Sequence, residues 1–402
     1  MFSSRLPSAL EENAVTRALA RLRTAGTAIV DLTETNPTQV GLQYPPDLLA
    51  PLSSPAALNY TPEPLGLPAA RAAVSREYAR QGAAIPPERI VLTASTSEAY
   101  STLFKLLCDA GDEVLIPQPS YPLFELLSHL DNVRTVPYAL HLHGAWSLDR
   151  ASIERALSPR TRAILVVTPN NPTGSTLDAD DTAWLMHLCA DRGLALIADE
   201  VFADYPLRTA SLPPCPIAAL PNCRIAPLPN CLTAQLSASA LCFSLGGLSK
   251  SAGLPQVKLG WMAIGGPDAI VREALEKLEL ICDTYLSVAT PVQVAAASLL
   301  EGGALIRAQI QQRIATNLAQ CRALVASRPD ITMLEPDAGW CVVLQVPATE
   351  SEEQLVLRLL EREHVLVHPG YFFDFPKEAF LVLSLLPEPH VFADGLSRVL
   401  RA

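Results

Sequence analysis

The sequence predicts an α/β protein with a large domain, in which helices flank a mostly parallel sheet, and a smaller α+β C-terminal domain. Between residues 89 and 264, short apolar runs alternate with amphipathic segments, which is typical of a parallel sheet covered on both faces. After Pro291 the pattern changes to one long helix followed by mixed strands and helices. The chain has 402 residues and is 49% hydrophobic, so two domains with large cores are feasible. We expect an N-terminal arm with part of the small domain at 1–45, the large domain at 46–288 and the small domain at 289–402.

The individual elements follow from these patterns. In the large domain the predicted strands are "RIVLTA" (89–94), "EVLIP" (113–117), "RTVPY" (134–138), "AILVV" (163–167), "LALIAD" (194–199) and "ALCFSL" (240–245), with a helix after Ser97. In the small domain a helix runs from Pro291 to about Ser327, the strands are "ITMLEP" (331–336), "WCVVLQV" (340–346), "HVLVHP" (364–369) and "FLVLSLL" (380–386), and further helices cover 351–362 and 389–400. The proline-rich stretch 206–236 predicts an irregular surface loop.

Composition and charge argue against several classes of protein. The net charge is −11 and no Lys/Arg cluster occurs, which argues against a nucleic-acid surface. The apolar runs fall far short of the roughly 20 residues of a membrane helix, and the mixed-charge N-terminus is not a secretory signal, so we expect a cytoplasmic protein. The nine cysteines form no CxxC pair, and the eight-residue spacing of Cys215, Cys223 and Cys231 fits no zinc pattern, so we expect no metal site.

Two short motifs follow predicted strands. "TASTSEAY" (93–100) opens a helix with small hydroxyl residues, which is how a chain presents backbone N–H groups and a helix N-terminus to a phosphate. The alternative is an ordinary helix N-cap with Glu98 close behind. "TPNNPTG" (168–174) follows the predicted strand "AILVV" (163–167), and by itself it is equally consistent with a simple turn.

Two further motifs place charged side chains in apolar or Gly- and Ser-rich segments that contain no opposite charge to pair with them. "ADEVFADY" (198–205) places Asp199 at the end of an apolar strand, where a lone carboxylate is costly unless it meets a cation or a donor. "SLGGLSKSAGLPQVKLGWMA" (244–263) contains Lys250 and Lys258 but no acidic residue. Such lysines need a negative partner from outside their own segment.

In this order and spacing, the four motifs resemble those of the fold-type I pyridoxal-phosphate enzymes, and among them the class I and II aminotransferases. The resemblance covers nearly the whole chain and is most specific at "NPTG", "DEV" and "LSKSAGLPQVKLGW". It implies a pyridoxal-phosphate-binding large domain and an amino transfer from an amino acid to a 2-oxo acid by a ping-pong mechanism through pyridoxamine phosphate.

The resemblance also assigns roles to single residues. It implies that Lys250 holds the cofactor as an imine and moves the proton at the substrate Cα, and that Asp199 keeps the ring nitrogen protonated. It further implies that Asn171 donates to the ring oxygen and that Tyr121 stacks on the ring. The remaining implied contacts are to the phosphate and come from Ser95, Thr96, Ser97, Lys258 and, across a homodimer, Tyr60 of the neighbouring subunit. For both tyrosines, simple packing against a nearby proline is the alternative.

The sequence departs from the family pattern around the cofactor. Phe202 stands where many relatives have a tyrosine that also donates to the ring oxygen, so we expect a raised imine pKa that Phe202→Tyr lowers. Lys258 replaces the usual arginine at the phosphate and lacks its bidentate fork; an ordinary surface lysine is the alternative. Gly247 stands where the family has a phosphate-binding serine, and Ser249 does not occupy that position.

A third departure concerns the substrate. Most relatives carry an arginine in a C-terminal R-[LIV]-S-[FL] pattern that grips the substrate carboxylate, whereas "FLVLSLL" puts Val382 at that place. No arginine occurs between Arg362 and Arg398. Nearby candidates for the contact are His368, Tyr371 and Lys377, each of which is equally consistent with a loop residue. The arm "TETNPTQVG" (33–41) is expected to cross the mouth of the site.

The sequence therefore predicts a pyridoxal-phosphate aminotransferase that acts on small amino and 2-oxo acids. A β-lyase or decarboxylase reaction on the same cofactor is the first alternative, because this fold supports several chemistries and the usual arginine is missing. A binding protein that keeps the cofactor without turnover is the second alternative, and the presence of Lys250, Asp199 and Asn171 argues against it.

Overall fold

The structure is a computed structural model, and it describes residues 2–7, 12–207, 239–286 and 288–401. Most of the predicted loop at 206–236 lies outside the described residues, as do Cys215, Cys223 and Cys231. Among the described residues, no group of metal-binding side chains comes together and no helix is long and apolar enough to cross a membrane.

Strands and helices alternate along most of the described chain. The strands are β1 (Val30–Asp31), β2 (Ile90–Thr93), β3 (Glu113–Gln118), β4 (Arg134–His143), β5 (Ala145–Leu148), β6 (Thr161–Val167), β7 (Ala195–Asp199), β8 (Cys242–Gly247), β9 (Gly260–Gly265), β10 (Thr332–Leu334), β11 (Cys341–Gln345), β12 (Val365–Leu366), β13 (His368–Pro369) and β14 (Phe380–Ser384). The α-helices are α1 (Ala14–Thr24), α2 (Pro68–Arg80), α3 (Thr96–Leu107), α4 (Leu123–Leu130), α5 (Arg150–Ala156), α6 (Ala179–Arg192), α7 (Leu248–Ser251), α8 (Asp268–Tyr285), α9 (Thr290–Val325), α10 (Glu352–Arg358) and α11 (Pro389–Arg401).

The large sheet has eight strands in the order β2-β9-β8-β7-β6-β3-β4-β5. Its central strands, from β8 to β4, are all parallel, which confirms the predicted mostly parallel sheet. Strand β9 is antiparallel to both of its neighbours, because residues 248–259, which include the short helix α7, return the chain beside β8 without a crossover. Strand β5 was not predicted and extends the sheet through a tight hairpin from β4.

The C-terminal part forms the smaller α+β unit that was predicted. Strands β10, β11, β14 and β13 make an antiparallel sheet, and β1 near the N-terminus pairs with β12. The segment predicted as one strand at 364–369 divides between two sheets, with β12 in one and β13 in the other. The helix predicted at 351–362 is α10 followed by a π-helical turn over Leu359–Glu363.

Apolar side chains cover both faces of the large sheet. On one face, residues of β3, β6, β7 and β8 pack against α3 and α8. On the other face, β4, β6 and β7 pack against α6 and against side chains of β11 and β14, so that the small sheet contributes to the same core. The small sheet therefore lies next to the carboxyl ends of β6 and β7.

Candidate active site

The predicted motifs meet at one edge of the large sheet. Strands β2, β6, β7 and β8 point in the same direction, and a predicted motif follows or ends each of them. Because ligands of open α/β sheets bind beyond the carboxyl ends of the strands, this edge is the candidate site.

Lys250 lies on the short helix α7, directly after β8. Its Nζ is 4.6 Å from the centroid of the Trp340 ring and 5.4 Å from that of Phe202. No carboxylate among the described residues forms an ion pair with it, although Asp199 is close enough to stabilise its charge. Burial outweighs that attraction and lowers the pKa of the Lys250 ammonium below its usual value.

Asp199 is the last residue of β7, and its carboxylate is held by two donors. The Tyr100 hydroxyl donates to Oδ2 at 2.6 Å, and the backbone N–H of Val201 donates to Oδ1 at 3.1 Å. Burial raises the pKa of Asp199, while the Tyr100 and Val201 donors and the Lys250 charge act in the opposite direction. Tyr100 is itself buried, and burial together with Asp199 raises its pKa, so the hydroxyl remains a donor.

Asn171 lies in the turn that follows β6, facing the small sheet. The Cys341 thiol donates to Asn171 Oδ1 at 3.7 Å. The turn ends at Gly174, which has φ +70°, and a Cβ there would come within 2.4 Å of Pro336. Backbone N–H groups of Asp337 and Ala338 donate to the Gly174 carbonyl, so this turn is fixed against the segment that leads into β11.

The turn between β2 and α3 presents a helix N-terminus to the same edge. Ser95 is the N-cap, and its hydroxyl accepts from the Glu98 N–H at 3.1 Å, so the N-cap alternative holds for this residue. The hydroxyls of Thr96 and Ser97 make no hydrogen bond to any other described residue. A Cβ at Gly260 would come within 2.8 Å of the Ser95 carbonyl carbon, so the start of β9 packs backbone to backbone against this turn.

Three of the residues that the resemblance assigns to the cofactor are exposed. Tyr121 is 42% exposed and packs edge-on against Phe124, with Asp199 near enough to raise its pKa further beyond the effect of burial. Lys258 is exposed with φ +60°, two residues before Gly260, and no ion pair with a described residue holds it. Tyr60 is 65% exposed and distant from its own chain's core.

The departures from the family pattern are explained by packing. Phe202 is buried with its ring 5.4 Å from that of Trp340, edge to face. A Cβ at Gly247 would come within 3.1 Å of the Leu259 carbonyl oxygen, which favours glycine there. Val382 is 1% exposed in the apolar core, opposite Val343 on β11 and His368 on β13.

None of the three candidates for the carboxylate contact is a buried, positively charged side chain. His368 packs against Phe372 and Phe373, and burial lowers its pKa, which favours the neutral ring. Tyr371 and Lys377 are exposed. The arm residue Glu34 does reach the small sheet, since its carbonyl accepts from the Ser384 hydroxyl at 2.6 Å.

Buried side chains hold the backbone of the lysine turn. The Tyr205 hydroxyl donates to the Lys250 carbonyl, and Arg307 donates to the Ser251 carbonyl at 2.6 Å. Arg307, on α9, also bonds Glu77 at 3.3 Å. Arg80 pairs with both Glu77 and Asp204, which completes a buried cluster of two arginines and two carboxylates.

Sequence reasoning missed four residues of this site: Tyr100, Tyr205, Trp340 and Cys341. Tyr100 stands within the quoted "TASTSEAY", four residues after Thr96 and so on the same helix face, which was an available signal. The other three gave no local signal, because their roles depend on contacts with segments distant in the chain.

Comparison with known proteins gives the family. The sequence model of the family "Aminotransferase class I and II" matches residues 32–387. The alanine aminotransferase of Mycobacterium bovis is 27% identical over 392 residues, which are 94% of this chain and 86% of that protein. The glutamate-pyruvate aminotransferase AlaA of Escherichia coli K12 is 26% identical over 396 residues, 96% of this chain and 93% of that protein.

Solved structures share the fold. The alanine aminotransferase from Pyrococcus furiosus superposes with a TM-score of 0.85 at 23% identity, over 100% of this chain and 99% of that chain. A double mutant of the Thermus thermophilus aspartate aminotransferase gives a TM-score of 0.82 at 20% identity, with 100% and 99% covered. Together with the match across residues 32–387, these likenesses show that the chain belongs to the class I and II aminotransferases, the enzymes that use pyridoxal phosphate to move an amino group from an amino acid to a 2-oxo acid.

Proposed function

We propose that Lys250 is the residue that bonds covalently to pyridoxal phosphate and then moves the proton at the substrate Cα. The observation that carries this proposal is the setting of its Nζ, between the rings of Trp340 and Phe202 and near Asp199 without pairing to it. A lysine buried for structural reasons alone would need a hydrogen-bonded carboxylate, which this one lacks among the described residues.

The polar groups at this edge match the phosphate, the ring oxygen and the ring nitrogen of the proposed cofactor. The hydroxyls of Thr96 and Ser97, at the N-terminus of α3, have no hydrogen-bond partner among the described residues, so they are available to a phosphate. The Asn171 amide nitrogen donates to no described acceptor, so it is available to an oxygen of a ligand. Asp199 is a buried carboxylate that still lacks a cationic hydrogen-bond partner, as a protonated ring nitrogen would be.

Pyridoxal phosphate, when bound, supplies an aldehyde that condenses with amines and a ring that draws electrons away from the substrate Cα. Lys250 needs a neutral amine both to form its bond and to take the Cα proton, and the burial that lowers its pKa favours that form. Asp199 keeps a proton on the ring nitrogen, because its own ionised form is held by Tyr100 and Val201. Asn171 donates from Nδ2 to the ring oxygen.

The remaining residues position the cofactor without taking part in proton transfer. Thr96, Ser97 and the backbone N–H groups at the start of α3 bind the phosphate, and Lys258 adds a positive charge from the other side of Gly260. Tyr121 stacks on the ring from the open side of the site, which its 42% exposure supports.

Borohydride reduction of the cofactor-loaded protein tests the covalent role of Lys250. We expect the cofactor's mass on the peptide that contains Lys250, and none on that peptide in a Lys250→Ala variant. Lys277→Ala, which removes an exposed lysine of α8, is the control and should label like the wild type. A protein that stays colourless with added cofactor, or a label on another lysine, would contradict the proposal.

We further propose that the amino donor has an uncharged side chain, as alanine has. The small-sheet face that carries Cys341, Val343 and Val382 has no charged side chain at these three positions, and burial favours the neutral ring of His368, the register partner of Val382. Two of the related proteins are named for alanine or pyruvate. A second substrate carboxylate, as in aspartate or glutamate, would therefore lie against apolar side chains at a desolvation cost.

A panel of single amino acids tests this choice of donor. Alanine should convert the bound cofactor, measured by its absorbance, at least about 10-fold faster than aspartate, which corresponds to about 1.4 kcal/mol of transition-state binding, and it should leave as pyruvate. Aspartate or glutamate as the best donor would contradict the uncharged-donor proposal. Ammonia released together with pyruvate would indicate a lyase.

We also propose a cytoplasmic homodimer in which Tyr60 reaches the phosphate of the other subunit. The 65% exposure of Tyr60 supports this arrangement, because it leaves the side chain accessible to a second subunit. The domain division at residues 45 and 288 is likewise a proposal, supported by the pairing of β1 with β12. Sedimentation of the purified protein checks the dimer, and cell fractionation checks the location.

A further inference from the structure

Cys341 lies where the small sheet meets the cofactor-binding edge. It is the first residue of β11, and its register partner on β14 is Ser384, while Val343 is opposite Val382. Because alternate residues of a strand share a face, Cys341 lies on the same face of the small sheet as Val382. Its thiol contacts Asn171 Oδ1 at 3.7 Å, and it interacts electrostatically with Lys250.

The direction of the hydrogen bond between Cys341 and Asn171 is fixed by chemistry. Burial raises the pKa of the Cys341 thiol to about 12, in spite of the nearby Lys250 charge, so the sulfur keeps its proton at neutral pH. A carbonyl oxygen only accepts, so the thiol is the donor. The same protonation argues against a reactive or redox-sensing cysteine, which needs the thiolate.

A donor on Oδ1 decides which way the amide group faces. The two ends of an asparagine amide are nearly equal in shape, so the hydrogen-bond partners determine its orientation. With Oδ1 turned to the thiol at 3.7 Å, the Nδ2 hydrogens point away from Cys341, because the two ends of the amide group lie on opposite sides of its carbon. In the reversed amide, Oδ1 would face the ring oxygen of the cofactor, and two acceptors would repel each other.

The orientation of Asn171 matters more in this chain than it would beside a second donor. Phe202 has no hydroxyl, and its ring packs against Trp340, the residue before Cys341. Among the described residues, the Asn171 amide is therefore the side-chain donor left for the ring oxygen.

We propose that Cys341 is a positioning residue, whose S–H group holds the Asn171 amide with Nδ2 directed at the ring oxygen of the cofactor. This inference depends on the proposed roles of Lys250 and Asn171. The proposal gives the small sheet an effect on the pKa of the bound cofactor, since the thiol belongs to β11 of the small sheet and the amide to the turn after β6 of the large sheet.

The pH titration of the bound cofactor's visible absorbance tests the proposal in three variants. Cys341→Ala and the near-isosteric Cys341→Val remove the donor, while Cys341→Ser keeps one. A donor to the ring oxygen stabilises its anionic form, so we expect the absorbance pKa to rise by about 0.3–1 unit in the Ala and Val variants, as for the loss of one modest hydrogen bond. In the Ser variant it should stay at or below the wild-type value.

Cys321→Ala is the matched control, because Cys321 is a fully buried thiol of α9 outside the site. Three results would overturn the proposal: wild-type titration of the Val variant, an equal shift in the Ser and Val variants, or an equal shift in the Cys321→Ala control. The Val variant keeps the test decisive if the Ala variant does not fold. If the wild type itself binds no cofactor at Lys250, the proposed function fails before this test begins.

Discussion

At the scale of single residues, Phe202 allows a direct test of the proposed contacts to the ring oxygen of the cofactor. Phe202→Tyr restores a hydroxyl, and one hydrogen bond worth about 0.5–1.5 kcal/mol corresponds to about 0.4–1.1 pKa units. We therefore expect the variant to lower the pKa seen in the cofactor's absorbance by that amount. Phe202→Leu keeps the site apolar and serves as the control. An unchanged pKa in the tyrosine variant would show that the hydroxyl does not reach the oxygen.

A second prediction concerns Tyr100 and the pH dependence of stability. Burial raises the folded-state pKa of Asp199 above its unfolded value, so the contribution of this group to stability is present at low pH and lost as the pH rises through the folded pKa. Tyr100→Phe removes a donor to the ionised carboxylate and raises that pKa further. We expect the cofactor-free variant to lose about 1.5–3 kcal/mol at pH 8, as for a hydrogen bond to a charged group, and less at pH 5.

Tyr138→Phe is the control for this experiment. The Tyr138 hydroxyl is equally buried but donates to the Leu165 carbonyl at 2.9 Å, so its loss involves no carboxylate. Urea unfolding at the two pH values should give a pH-independent cost for Tyr138→Phe. The same pH-independence in Tyr100→Phe would contradict the expected link to Asp199.

The residues that the sequence predicted and those that it missed differ in a physical way. Asp199 ends a strand, and Asn171 and Lys250 lie a few residues after one, within short motifs whose order and spacing resemble those of the family. Cys341 gave no such signal, because its partner Asn171 is 170 residues away in the chain. The sequence pattern placed Val382 where the family has an arginine, and the packing shows that this side chain lies in the apolar core.

At the scale of elements, Glu352 fixes the strand that carries Val382. Its carboxylate accepts from the backbone N–H groups of Tyr371 and Phe380, each at 2.8 Å, although it belongs to α10. Phe380 is the first residue of β14, so one side chain holds both ends of the loop that leads into this strand.

Glu352→Ala should leave both N–H groups without a partner and lower the free energy of unfolding by about 2–4 kcal/mol. The neighbouring Glu353 is exposed on the same helical turn, so Glu353→Ala is the matched control and should stay within about 0.5 kcal/mol of the wild type. Chemical denaturation of the two variants checks this. Equal stabilities would show that water replaces the carboxylate at these N–H groups.

The elements that prediction missed are those set by pairing rather than by pattern. Strand β5 has an irregular apolar pattern and exists because a tight turn at Gly144 returns it onto β4. The local sequence does not show that 364–369 divides between two sheets, because the division depends on the pairing of β12 with β1 and of β13 with β14. An alternating pattern of apolar and polar residues predicts a strand, but it does not predict which other strand it pairs with.

At the scale of the whole molecule, α9 connects the lysine turn to the C-terminal unit. This helix has 36 residues, or about 54 Å at 1.5 Å per residue. Near its middle, Arg307 enters the buried charge cluster with Glu77, Arg80 and Asp204 and supports the Ser251 carbonyl. Arg307→Met should cost about 3–5 kcal/mol, because it leaves buried carboxylates only partly compensated.

Arg322→Ala on the same helix is the control for Arg307→Met. Arg322 pairs with Glu335 at the surface, so its removal should cost at most about 1 kcal/mol. Thermal or urea unfolding measures both. A small effect at Arg307 would show that Arg80 alone compensates the two carboxylates.

The proposed homodimer predicts complementation between two damaged subunits. Lys250→Ala and Tyr60→Ala each remove one half of a shared site, so each homodimer should be impaired. A random mixture places about half of the subunits in heterodimers with one intact site each, which predicts about a quarter of wild-type activity. Activity that never exceeds the average of the two homodimers after mixing and refolding would contradict shared sites.

The contact between Gly260 and Ser95 has a consequence for how this site can change over time. Because two backbones meet there, the position of the turn between β2 and α3 depends on backbone packing and not on the side chains proposed to bind the phosphate. Substitutions at positions 96 and 97 can therefore change the affinity for a phosphate without moving the site at which it would bind. Gly260 thus constrains the position of the turn at Ser95, although it is not among the proposed phosphate contacts.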